Sequence, residues 1–168
     1  MTASFGKKLV LAGFAGRFAV VLLSYFIVSN VFSYISLLCL LIAAAGFGIM
    51  WRNDWKMINL LIAGTVGLAA LATLFWPTVY TRLLFDYDIT GTVISLLSFF
   101  LFDSYRIFWG LKFKNNNPLV AVLLALALLG SFFGFNLIYR IGLPAFFGYA
   151  LDIGLCAIPV VAAYFEED

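Results

Sequence analysis

Four ionisable side chains interrupt long apolar runs and are the residues best placed to do chemistry: Arg17, Asp103, Arg106 and Asp152. Asp103 and Arg106 stand three residues apart in SFFLFDSYRIFWG, so on a helix they share one face. A carboxylate or guanidinium inside a hydrocarbon layer costs several kcal/mol unless it is paired, and such residues commonly mark ion paths, proton relays or helix-pinning pairs. Two positive and two negative charges balance. If these segments cross a bilayer, Arg17 and Asp103 lie at similar depth. The expectation is an Arg17–Asp103 salt bridge, with Arg106 as competitor for the same carboxylate. Asp152 is expected at a different depth, about 10 Å in from the far end of its helix at 1.5 Å per residue.

Other chemistry is constrained by what is missing. The chain contains no histidine, which removes histidine-ligated haem, iron, copper or zinc and any serine–histidine pair. Cys39 and Cys156 lie inside apolar runs with no CxxC, so both read as small buried residues. No GxSxG, HExxH or P-loop is present. Two carboxylates at different depths cannot share a proton as an aspartyl dyad does. No catalytic, cofactor-binding or metal-binding residue is therefore assigned, and no enzymatic activity or cofactor is expected.

The solvent follows from composition. The 168 residues are 65% hydrophobic and 11% charged, with a mean hydropathy of +1.10. A soluble domain carries about 25% charged residues, so lipid is the expected surround. The net charge of +2 and the lack of a basic tract argue against nucleic acid. The basic start, MTASFGKKL, resembles the opening of a signal peptide. The apolar stretch continues past Arg17 without a small-residue cleavage site, so a retained anchor is expected.

Hydropathy and loop residues predict a single all-α transmembrane domain over residues 1–168. It has six spans in three hairpins, at about residues 9–28, 34–50, 57–75, 89–111, 119–139 and 145–165. Ser29, Asn30 and Ser33 supply the first turn. WRNDWK (51–56) reads as an interfacial loop, and residues 78–88 as a loop whose Asp88 caps the fourth span. KFKNNNP separates spans four and five. Pro159 is expected to kink the last span, and Glu166, Glu167 and Asp168 to form a polar tail. Trp51, Trp55, Trp76 and Trp109 read as an aromatic belt. Lys7, Lys8, Arg52, Lys56, Lys112 and Lys114 fall on one side, and Arg82 and Arg140 on the other. The positive-inside rule then places both termini in the cytoplasm of a cell, or inner, membrane.

Small residues predict close helix contacts at Ala63/Gly67, at Gly130/Gly134 and in AAAGFG (43–48). ISLL at Ile35 recurs at Ile94, and Tyr80 recurs as Tyr139, both 59 residues on; apolar sequence produces such matches by chance, whereas transporters use true repeats. Asn59, Thr65, Thr73, Ser36 and Asn136 are the main further polar groups within spans. Two functional classes follow, with an intramembrane enzyme as a disfavoured third. The first is a non-catalytic subunit, accessory or immunity-type protein whose partners are the bilayer and other membrane helices, or further copies of itself. The second is a small homo-oligomeric transporter or channel using Asp103 and Asp152.

Overall fold

A backbone with no water beside it has to satisfy its own N–H and C=O groups, and a helix does so within one segment. The computed structural model of the chain is accordingly all-helical, without strands among the described residues, which are 3–27, 31–85, 91–134, 137–138 and 141–166. The helices are α1 (Ala3–Ser24), α2 (Val31–Asp54), α3 (Met57–Phe85), α4 (Gly91–Phe102), α5 (Ser104–Phe113), α6 (Pro118–Leu129) and α7 (Ala145–Tyr164). A π-helical turn, Gly130–Gly134, extends α6. Among the described residues, three segments are long and apolar enough to cross a membrane: Val31–Asp54, Met57–Trp76 and Ala145–Tyr164. The first measures about 36 Å at 1.5 Å per residue, against about 30 Å of hydrocarbon. The 22-residue α1 has the length as well, but it carries Lys7, Lys8 and Arg17.

Several boundaries differ from those expected. The fourth span is not one helix, because α4 and α5 meet at Asp103. There φ is −118° and ψ −11°. The Asp103 N–H still reaches the Phe99 carbonyl at 3.0 Å, while the Arg106 N–H reaches back only three residues, to the Asp103 carbonyl at 3.0 Å. The helix tightens there by one residue and continues. α3 runs on through Trp76 and Pro77 to Phe85, so most of the expected loop at 78–88 is helical. An interior proline removes one backbone bond and crowds the carbonyl four residues before it, and α3 absorbs this without ending. Ser33 belongs to α2 and not to a turn. Asp88, Asn136, Tyr139 and Arg140 lie outside the described residues. Pro159 sits inside the continuous α7.

The helices close into a ring. α1 packs against α2 and α7, α2 against α3, α3 against α4 and α5, α5 against α6, and α6 against α7. Aromatic side chains fill the middle. The Trp109 ring lies 5.1 Å from Phe14 (stacked) and 5.1 Å from Phe47 (edge-on), with Tyr105 5.7 Å from Phe14. Trp109 is thus fully buried and no part of an interfacial belt. Its indole face finds aromatic partners at the centre, worth about 0.5–1.5 kcal/mol per pair beyond burial. The ISLL similarity does not extend to packing, since Ile35 is exposed and Ile94 buried.

Glycines set the tightest helix crossing. A Cβ added at Gly13 of α1 would lie 2.5 Å from the Cys39 carbonyl oxygen of α2, and one at Gly46 2.6 Å from the Gly6 carbonyl oxygen. AAAGFG therefore does form a close contact, and α1 supplies the matching small residues. Ala63/Gly67 does not mark such a crossing, because nothing lies within 4 Å of a Cβ at Gly67. Gly130 and Gly134 face Leu155 and Leu151 of α7 within the same chain. Gly13→Ala should lower stability by about 1–3 kcal/mol through overpacking. Gly67→Ala should leave it unchanged or raise it by up to about 1 kcal/mol through helix propensity. Thermal unfolding of the two variants in detergent checks the contrast.

Candidate functional site

Two polar clusters lie inside the ring, on either side of the aromatic centre. The deeper one is built where α5 begins. Asp103 forms an ion pair with Arg106 through Oδ1, and its Oδ2 accepts from Ser131 Oγ at 2.5 Å. Arg106 Nη2 donates to the Leu155 carbonyl of α7 at 3.0 Å. Asp103 and Arg106 are both buried. With both carboxylate oxygens engaged, Asp103 makes no side-chain cap to α5.

Asp152 has a separate partner. Its Oδ2 accepts from the Tyr25 hydroxyl at 2.5 Å, and the Tyr25 ring packs 4.9 Å from Tyr149, one turn before Asp152 on α7. Asp152 and Asp103 do not hydrogen-bond to each other, so no carboxyl dyad forms. One turn beyond Asp152 lies Cys156, a buried free thiol.

The expected Arg17–Asp103 salt bridge is absent. Arg106 holds that carboxylate instead, because it stands one turn away on the same helix and needs no second helix to reach it. Arg17 Nε is buried without a hydrogen-bond partner. Arg106 Nε, Ser104 Oγ and Tyr105 OH are likewise buried and unpartnered. The Thr65 and Thr73 hydroxyls bond to carbonyls of their own helix, Leu61 at 2.8 Å and Ala70 at 2.7 Å, and do not extend the cluster.

The second cluster corrects the reading of the tail. Glu166 is 1% exposed and forms an ion pair with Lys112 through Oε1. Its Oε2 accepts from Trp109 Nε1 at 2.6 Å. Lys112 Nζ also donates to Asn59 Oδ1 at 2.8 Å, and Asn59 Nδ2 donates to Asp54 Oδ2 at 2.9 Å. Asp54 Oδ1 accepts from the Lys56 backbone N–H at 3.1 Å. A single chain of bonds therefore runs from the end of α7 across α5 and α3 to the α2–α3 loop. One signal in the sequence could have found Glu166. Tyr149, Asp152, Cys156, Pro159, Ala163 and Glu166 recur every three or four residues, one continuous helical face.

Removing one partner of a buried pair leaves an uncompensated charge. Glu166→Leu alone should cost about 3–5 kcal/mol, and Lys112→Met with Glu166→Leu should cost less than that single change. In a second cycle, Asp103→Leu and Arg106→Leu should couple, while Asp103→Leu and Arg17→Leu should add within about 0.5 kcal/mol. Denaturation midpoints of the single and double variants measure both cycles. Compared with known proteins, the chain matches no family model and has no significant match among curated proteins or solved structures.

Proposed function

We propose that the chain is a non-catalytic integral membrane protein that works through contacts between its helices and those of other membrane proteins. It crosses the cytoplasmic membrane six times, with both termini inside. The observation that carries this reading is how the buried polar groups are used. Asp152 ties α7 to α1 through Tyr25, Asp103 ties the start of α5 to the π turn through Ser131, and Glu166 ties the end of α7 to α5. Each of these carboxylates, Asp103 and Glu166 buried and Asp152 half-buried, joins two segments of the ring, and aromatic rings pack between the clusters. Such an interior fits a rigid body whose outer face does the work, as an accessory subunit or immunity-type protein requires.

Six crossings are supported by the helix ends. Ala3, Asp54, Lys56, Lys112 and Asn116 line one cleft, and Glu166 bonds to Lys112. The first end of α1, the last of α2, the first of α3 and the last of α5 and α7 therefore meet at one place. Alternating antiparallel spans require this, and it gathers the cations that the positive-inside rule assigns to the cytoplasm.

A second reading, a small homo-oligomeric transporter or channel using Asp103 and Asp152, draws on a different observation. Four buried polar atoms, Arg17 Nε, Arg106 Nε, Ser104 Oγ and Tyr105 OH, lack partners. Buried groups of this kind are commonly satisfied by water or a passing ion.

Reporter fusions after Asn53 and Asn116 should give cytoplasmic signals, and fusions after Asp86 and Gly142 external ones; the reverse at Asn53 or Asn116 overturns the threading. Purification in mild detergent should yield a second polypeptide at fixed stoichiometry. A pure homo-oligomer whose ion flux in vesicles is abolished by Asp103→Asn or Asp152→Asn would establish the transport reading instead.

A further inference from the structure

At the end of the ring where Glu166 is anchored, a cleft of about 420 Å³ opens between α1, the α2–α3 loop and α5. One wall is apolar, formed by Met50, Ile58 and Leu111, and the other carries Asn53, Lys56 and Asn116. A site with both kinds of wall suits a molecule that is itself polar at one end and apolar at the other.

The charges there are unevenly committed. Lys112 is held by Glu166 and Asn59. Both oxygens of Asp54 accept hydrogen bonds, from the Lys56 backbone and from Asn59. The Lys56 ammonium forms only a long ion pair with Asp54, at 3.9 Å, and its side chain is 66% exposed at the cleft. The cleft is lined by two cations, Lys56 and Lys112, and by one carboxylate, Asp54. The rim is also distinctive. Trp55, 71% exposed, packs 5.3 Å from Trp51, and it is the one non-glycine described residue with a positive φ, at 53°. Backbone strain of this kind clusters at ligand sites, and tryptophan pairs favour the headgroup level of a bilayer.

We propose that this cleft binds a phosphate group borne by an anionic phospholipid, with Lys56 holding the phosphate and Met50, Ile58 and Leu111 receiving the start of the acyl region. The proposal rests on the membrane reading above. It differs from general attraction to a negative leaflet in requiring one lysine at one place.

The test uses the full chain reconstituted into vesicles of equimolar phosphatidylglycerol and phosphatidylcholine, with the lipids retained by the protein read by native mass spectrometry. Phosphatidylglycerol should be retained over phosphatidylcholine, and Lys56→Gln should lower that preference about fivefold, the value of about 1 kcal/mol per basic residue near an anionic surface. Lys56→Arg should keep it. Lys8→Gln, on an exposed lysine away from the cleft, should leave it unchanged. Equal retention of the two lipids, or equal losses from Lys56→Gln and Lys8→Gln, would overturn the site in favour of diffuse surface charge. Displacement of the lipid by millimolar inorganic phosphate would assign the cleft to free phosphate and overturn the lipid. Vesicle flotation separates the two levels: a chain that fails to float overturns the membrane reading itself, whereas one that floats without headgroup preference overturns only the cleft.

Discussion

A carboxylate that is 1% exposed must find a cation and hydrogen-bond donors, and Glu166 finds Lys112 and Trp109. Much of the bundle depends on this meeting. Lys112 can bond to Asn59 only because α5 is held against α3, and Asn59 in turn fixes Asp54 and the loop that follows. The Trp109 indole is turned so that its N–H meets Glu166 while its ring packs on Phe14 and Phe47. One buried acid thus orients the aromatic centre and anchors the last helix at the same time. The pair need not add much net stability, since desolvating two charges offsets most of their attraction. Its effect is on specificity, because any arrangement that separates the two leaves a buried charge alone.

The deeper cluster applies the same rule with local means. Arg106 neutralises Asp103 from one turn away, and its second nitrogen reaches the Leu155 carbonyl on α7. Ser131, on the π turn, takes the other carboxylate oxygen. A π turn carries one extra residue per turn and commonly sits at a functional or strained position; here it delivers Ser131 to Asp103. The tightening of the α4–α5 backbone occurs at that same residue.

Between the polar clusters, stability comes from shape. The α1–α2 crossing is close because Gly6, Gly13 and Gly46 let backbone meet backbone. In lipid such packing replaces the hydrophobic force that drives helices together in water. The central rings fill the space that wider crossings leave between α1, α2 and α5.

The helical class was legible in the residues, because apolar runs this long satisfy their backbone in lipid within a single helical segment. The sequence also singled out Arg17, Asp103, Arg106 and Asp152, since charge inside an apolar run is visible without coordinates. The extent of α7 was legible too, expected at about 145–165 and found at Ala145–Tyr164. Partner choice was not. Arg17 and Asp103 match in sign and depth, but whether they meet depends on helix rotation, and Arg106 was nearer. Glu166 read as a solvated tail and Trp109 as an anchor, because each looks ordinary in its own segment. Their roles appear only when α5 and α7 stand side by side. The contact at Gly13 needed α2 beside it as well. Local pattern fixes which segments are helices and which residues are costly to bury; the rotation and neighbours of each helix are fixed by packing over the whole ring, which no single segment encodes.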